Sequence, residues 1–349
     1  MVQTIQSRTA EAGALLEFER VDRCYLCDSA EQHDARGVSW KGVAFSYCYC
    51  GGCGLKYMRP RPTAASYQRF YRDGFWQQKM TASGYATMQG FDDANQDQMA
   101  IRMKKYRRGY QLVKRHLSEA IHLGHGVRVL EVGCAFGYTL EWLREETGCD
   151  VFGIEPSTEA RARLEQARIP VVGATAEERL AGVSAPSPAK RFHAIVFCHS
   201  LENIVDPRPV LEGACAHLAN GGVILIYTPN VEFFDSMNPY HPYVYSPQTL
   251  GRLLNQAGLY ADRVDAPLSP DRNTALRTVA PSHEVGCIAR PGRVVRTPAK
   301  PVDVVQLVQS HHWGQRALIW AELRPRDLAT RALAMGKLRA RRLRDRGRS

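Results

Sequence analysis

No apolar run in the 349-residue sequence approaches the roughly 20 residues needed to span a bilayer. The opening stretch, Met1–Arg20, is polar and has no hydrophobic region of the secretory-signal kind. The expectation is therefore a soluble, cytoplasmic protein with no membrane association. There is no internal repeat, which excludes a solenoid or a propeller. A broad basic surface is also missing. The net charge is +11, but Arg324–Ser349 alone holds ten Lys/Arg against two Asp, or +8, so the rest of the chain carries only +3. A general nucleic-acid footprint would spread the charge more widely, so the basic character belongs to the tail.

Cysteine is well represented, and its distribution is uneven. Five of the ten cysteines fall between Cys24 and Cys53. Cys24-Tyr-Leu-Cys27 and Cys50-Gly-Gly-Cys53 form two Cys-x-x-Cys knuckles with 22 residues between them. In a cytoplasmic chain this spacing points to metal rather than disulfides, and four thiolates close a tetrahedral zinc site. Gly51, Gly52 and Gly54 permit tight turns around sulfur. Cys48 is the spare, one residue too close to Cys50 for a knuckle.

After a helical stretch from about Ala64, with a long surface helix expected over Asp93–Leu117, short apolar runs alternate with helical segments. Strands are expected at Val127–Val132, Val151–Ile154, Val171–Val172, Ala194–Cys198 and Val223–Tyr227. Helices are expected at Tyr138–Thr147, Ser157–Ala167, Thr175–Leu180, Pro207–Leu218 and Ser246–Ala257. Two more strands are expected at Ala261–Asp265 and Glu284–Ala289. Such alternation implies an α/β fold with a doubly wound parallel sheet.

The first strand ends in Glu131 and runs into Gly133-Cys-Ala-Phe-Gly137. Gly133 and Ala135 leave room for a ligand against the backbone, and Gly137 opens a helix whose N-terminus faces that ligand. The second strand ends in Glu155, well placed to accept ribose hydroxyls. The Gly-x-Gly-x-x-Gly spacing of a nicotinamide dinucleotide site is missing. The segment resembles motifs I and II of class I S-adenosylmethionine-dependent methyltransferases. That resemblance implies a seven-stranded Rossmann-like sheet with Glu131, Gly133, Ala135, Gly137 and Glu155 around S-adenosylmethionine. It further implies an adenine contact near Thr175, which as a helix cap has an equally ordinary role.

After the fourth strand, Cys198-His-Ser-Leu-Glu-Asn-Ile-Val-Asp-Pro207 resembles the His-x-Leu-Glu-His-x-x-Asp-Pro segment of small-molecule methyltransferases, with Asn203 in place of the second histidine. By that resemblance Cys198 borders the cofactor. His199 is a candidate base or a cofactor-packing side chain, Glu202 caps or braces the loop, and no metal is expected there. Gly221-Gly222 is read as a turn before the fifth strand. The aromatic insert Asn230–Tyr245, with Phe233, Phe234, Tyr240, Tyr243 and Tyr245, resembles an acceptor-pocket lid and contributes His241 as a second candidate base.

Cys-x-x-Cys-Gly-Leu-Lys-Tyr-Met-Arg-Pro-Arg-Pro, followed by Tyr71, resembles the N-terminal zinc ribbon of bacterial sugar and natural-product methyltransferases. The implied division is a lead-in at 1–20, a zinc ribbon at 21–60, a helical linker or cap at 61–123, a cofactor-binding core at 124–290, and a C-terminal helical extension with a basic tail at 291–349. The implied acceptor is a small molecule methylated at oxygen or carbon. An RNA acceptor, bound through ribbon and tail, is the second reading. Against it, no Asn/Asp-Pro-Pro-Tyr follows the fourth strand, and that loop has no Pro-Cys nucleophile. Oligomerisation through the C-terminal helices is left open.

Overall fold

A computed structural model describes residues 16–35, 38–40, 43–73, 96–231, 241–265 and 284–292. The chain divides into two units, Met1–Pro301 and Val302–Ser349, and all of the described residues belong to the first. The expected C-terminal helices, the basic tail, and Phe233, Phe234 and Tyr240 of the insert lie outside the described residues.

In chain order the strands and helices are β1 (Phe18–Glu19), β2 (Gln32–Asp34), β3 (Val38–Trp40), β4 (Val43–Phe45), β5 (Tyr47–Cys50), β6 (Lys56–Met58), β7 (Arg61–Pro62), α1 (Ala64–Asp73) and α2 (Gln96–Ala120). They continue as β8 (Arg128–Val132), α3 (Tyr138–Thr147), β9 (Asp150–Ile154), α4 (Thr158–Gln166), β10 (Val171–Gly173), α5 (Ala176–Leu180), β11 (Phe192–Cys198), α6 (Pro207–Ala216) and β12 (Leu218–Pro229). The last are β13 (Tyr243–Val244), α7 (Pro247–Gln256), β14 (Leu259–Asp265) and β15 (Glu284–Pro291).

Seven strands form one sheet in the order β10-β9-β8-β11-β12-β15-β14. The β10-to-β12 pairings are parallel. β15 runs antiparallel to both of its neighbours, β12 and β14. Successive strand residues point to opposite faces. Leu130, Ile195, Phe197 and Ile224 face one core, and Val129, Ala194, Val196 and Leu225 face the other. Apolar side chains on both faces require a covering layer on each side. On the second face Tyr110, Val113 and Leu117 of α2 pack with Leu140 and Leu143 of α3. Chain order reverses between the adjacent strands β8 and β11, and ligands bind in the crevice beyond the carboxyl ends of strands at such a point.

The helix starts follow capping chemistry. Ser157, Thr175 and Ser246 each accept a backbone N–H from the first turn. Ser246 and Thr249 form a reciprocal capping box ahead of α7, with Pro247 at its first position. One expectation differs from the structure. Gly221-Gly222 is not a turn that precedes a strand. Pairing already begins at Leu218 opposite Phe192, and the next partner of β11, Ala194, faces Val223. The intervening residues bulge, and Gly221 supplies the positive φ of 75° that the bulge needs.

The cysteine-rich segment forms a four-stranded antiparallel sheet in the order β13-β6-β5-β2. Its edge strand β13 comes from far downstream, with Tyr243 opposite Tyr57 and Val244 opposite Lys56. The small sheet is thereby joined to the chain that leads into α7.

Removing the cap hydroxyl in Ser246→Ala should lower unfolding stability by about 1 kcal/mol. Urea titration followed by circular dichroism measures this, and an unshifted midpoint would show that the cap contributes nothing.

Candidate functional site

β8 delivers Glu131 to the carboxyl edge of the sheet, with Gly153 of β9 and Val196 of β11 as its register partners. The loop that follows is tightly constrained. The Gly133 and Cys134 amides donate to the Ile154 carbonyl at 2.8 and 3.2 Å. Gly133, Ala135 and Gly137 all have positive φ, at 73°, 49° and 74°. For alanine this left-handed conformation is uncommon and must be held by its surroundings. Glu155 holds it, since one of its carboxylate oxygens accepts the Ala135 N–H at 2.8 Å and the other accepts the Ser157 N–H at 2.9 Å.

The two glycines are also required by their neighbours. A Cβ on Gly133 would lie 2.8 Å from Cβ of Ser200, and one on Gly137 would lie 2.3 Å from Cδ2 of Leu164. Gly133 therefore lets the loop abut the segment after β11, and Gly137 lets α3 close onto α4. Both are reasons beyond ligand clearance.

Glu131 and Glu155 are both buried. Burial pushes Glu131 up to about 8, with the charge of Glu155 adding to the shift. Burial also pushes Glu155 up to about 7, against the Ser157 and Ala135 amides that favour its ionised form. Among the described residues, Oε2 of Glu131 has no hydrogen-bond partner. Buried oxygens of this kind need a donor.

The segment after β11 forms the neighbouring wall. Cys198 ends the strand partly buried. His199 follows in the left-handed region at φ 54°, its N–H donating to the Tyr227 carbonyl at 2.9 Å. The Asn203 side-chain amide donates to the His199 carbonyl at 3.1 Å. Glu202, in the 3-10 turn Leu201–Asn203, is fully buried. Its Oε1 lies 3.5 Å from Nδ1 of His199 and 4.0 Å from Nε2 of His241. The structure thus brings the two candidate histidines to one carboxylate. Glu202 is more than the loop brace expected from sequence. What sequence reasoning missed is this shared contact, and its one local signal is an acidic residue three positions after His199.

The cysteine-rich sheet holds the His241 segment in place. Tyr47 Oη donates to the His241 carbonyl at 2.8 Å, and the Met58 N–H donates to the Pro242 carbonyl at 2.9 Å. Tyr243 Oη accepts from Arg61 at 2.5 Å and donates to the Val205 carbonyl at 2.9 Å. Tyr25, between the first two cysteines, donates to Asp206 ahead of α6. Thr175 stands apart from these contacts as the cap of α5, its hydroxyl accepting the Glu178 N–H at 3.1 Å.

Cys24, Cys27, Cys50 and Cys53 converge, with all four sulfurs within 4.8 Å of one another. Cys24 and Cys53 are 3.5 Å apart, and Cys27 and Cys50 are 3.4 Å apart. Zinc–sulfur bonds of about 2.3 Å imply sulfur pairs roughly 3.8 Å apart, so the donor set fits a tetrahedral metal ion. Hydrogen bonds from Cys24 and Cys53 hold the Cys50 thiol well below its usual range. Cys48 is fully buried outside this group.

Residues 103–264 match the family model for a methyltransferase domain. Methyl transfer is the chemistry that this match supports. A search among curated proteins gives no match. Similar solved structures include an S-adenosylmethionine-dependent methyltransferase from Clostridium acetobutylicum, at 11% identity and TM-score 0.41, covering 54% of this chain and 92% of that one. Another, from Mesorhizobium loti, is 17% identical with TM-score 0.40, covering 50% of this chain and 96% of the other. A third, from Aquifex aeolicus, is 21% identical with TM-score 0.38, covering 50% of this chain and 87% of its own. Among the described residues no helix is long and apolar enough to cross a membrane.

The raised carboxyls predict a pH signature. A carboxyl raised on folding contributes stability that is complete below its ordinary value of 4.5 and is lost as pH rises through its folded value. Ligand-free protein should therefore lose stability between pH 4.5 and about 8. In Glu131→Gln that loss should shrink, as read from urea midpoints across pH. An identical pH slope in the variant would contradict the burial of an ionisable Glu131.

Proposed function

We propose that the protein is an S-adenosylmethionine-dependent methyltransferase whose acceptor is a small molecule, a sugar or specialised metabolite, methylated at oxygen or carbon. The observation that carries the reading is the pair of buried carboxylates at adjacent strand ends, around a loop of three left-handed residues. The family match over residues 103–264 supports it.

When bound, S-adenosylmethionine supplies an activated methyl group on a positively charged sulfur. Glu131 and the Gly133–Gly137 loop would hold the cationic amino-acid end, and Glu155 would take the ribose hydroxyls with its remaining lone pairs. Cys198 would border the same ligand, and Thr175, once past its capping duty, the adenine. The chain must then align the acceptor, exclude water and remove one proton. His199 and His241 flank the acceptor side for that purpose. The segment His241–Tyr245, fastened by the cysteine-rich sheet, suits a wall of the acceptor pocket.

The four cysteines would hold a structural zinc ion, since four thiolates leave no coordination position open. The ribbon would then act on chemistry through contacts such as those that fix His241 and Pro242. The basic tail favours RNA as the competing acceptor, and the acceptor experiment decides between the two.

Three results are expected. Calorimetry should show binding of S-adenosylhomocysteine to the full chain, with affinity roughly 5- to 160-fold weaker in Glu155→Ala, as loss of hydrogen bonds to ligand hydroxyls costs about 1–3 kcal/mol. Unchanged affinity would remove Glu155 from the site. Labelled methyl groups should enter a small-molecule extract rather than total RNA, and salt-sensitive RNA labelling would reverse that assignment. Metal analysis should find about one zinc per chain, lost in the Cys24→Ser, Cys53→Ser double variant. A full metal content in that variant would contradict the four-thiolate site.

A further inference from the structure

Given the methyltransferase reading above, we infer that Glu202 is a positioning residue that holds the His199 ring with Nδ1 turned inward. Nε2 of His199 is then the atom presented to the acceptor, and His241 is the second brace of the same carboxylate rather than an alternative base.

Three observations carry this assignment. The first is exposure. The Glu202 side chain is 0% exposed and that of His241 13%, whereas that of His199 is 42% exposed. His199 is thus the more exposed of the two imidazoles. The second is orientation. His199 faces Oε1 of Glu202 through Nδ1, leaving Nε2 on the far side of the ring, whereas His241 faces the same oxygen through Nε2. The third is immobility. The left-handed backbone of His199 is held by the Tyr227 carbonyl and the Asn203 amide, and the chain at His241 and Pro242 is held by Tyr47 and Met58. Neither histidine is carried on a loose loop. Residues held in sparsely populated backbone regions gather where geometry serves function.

A wholly buried carboxylate needs a partner of opposite charge. Among the described residues, the titratable groups facing Glu202 are His199 and His241, together with the hydroxyls of Tyr67 from α1 and Tyr245 after β13. Burial opposes ionisation of Glu202, and the two imidazoles more than offset it. At 3.5 Å the His199 contact is at ion-pair distance, able to shorten when the ring becomes charged. In the proton step the acceptor O–H bond breaks, its electron pair stays on oxygen, and the proton passes to Nε2 of His199. The imidazolium then carries its second proton on Nδ1, facing Glu202. A carboxylate behind an imidazole fixes its tautomer and stabilises its charged form in this way.

The test uses the full chain labelled with nitrogen-15 histidine, with the His199 resonances assigned by their loss in His199→Gln. In the wild type, the neutral His199 ring should carry its proton on Nδ1, with Nε2 bare. In Glu202→Gln that single-tautomer preference should be lost, while affinity for S-adenosylhomocysteine stays unchanged by calorimetry. A wild-type ring protonated on Nε2 overturns the proposal, whether or not the variant folds. So does a His199 spectrum unaltered by Glu202→Gln. Equal weakening of S-adenosylhomocysteine binding would make Glu202 part of the cofactor site instead. Absence of such binding in the wild type would sink the methyltransferase reading and leave the tautomer result to judge Glu202 separately.

Discussion

The hydrogen bond from the Ala135 amide to Glu155 joins the ends of two adjacent strands, and the shape of the site follows from it. It fixes an alanine in the left-handed region and so sets the path of the loop between Gly133 and Gly137. That path brings the loop against Ser200 and closes α3 onto Leu164 of α4. The cost falls on the carboxylates. Glu131 has burial and the charge of its neighbour acting on it, and both raise it. The parallel sheet makes the arrangement available, because its strand order reverses where β8 meets β11 and so opens a crevice at the carboxyl edge.

A second constraint comes from the cysteine-rich sheet. Its edge strand is β13, which belongs in sequence to the core. Tyr25, Tyr47, Met58 and Arg61 all reach across to hold residues between Val205 and Tyr243. A module with four converging thiols can thereby set the position of a histidine far from them. Four thiols do the organising, and a small hydrophobic cluster with Leu16, Phe18, Phe70 and Val244 completes the junction.

Much of this could be read from sequence where the signal is local. Tyr138–Thr147 forms a helix over the expected residues, because a glycine precedes it and Gly148 ends it. Ser157, Thr175 and Ser246 stand one residue outside their helices, as capping side chains do. The Cys-x-x-Cys knuckles converge as their spacing implies. Non-local contacts were out of reach. The extension of β12 back to Leu218 depends on β11 lying alongside, and a glycine pair ordinarily marks a turn. The pairing of β13 with β6 joins segments separated by most of the core. The meeting of His199 and His241 at Glu202 needed the fold to bring them together. Gly133, read as ligand clearance, and Gly137, read as a helix start, have packing reasons too, visible only once Ser200 and Leu164 had positions.

The central claim is that the sheet edge seats a positively charged donor against carboxyls kept protonated by burial. Calorimetric titration of S-adenosylmethionine at pH 7, repeated in buffers of different ionisation enthalpy, tests it most directly. The account predicts binding with net proton release to the buffer, reduced in Glu131→Gln. Binding heats that are the same in every buffer, or no binding by folded protein, would contradict it.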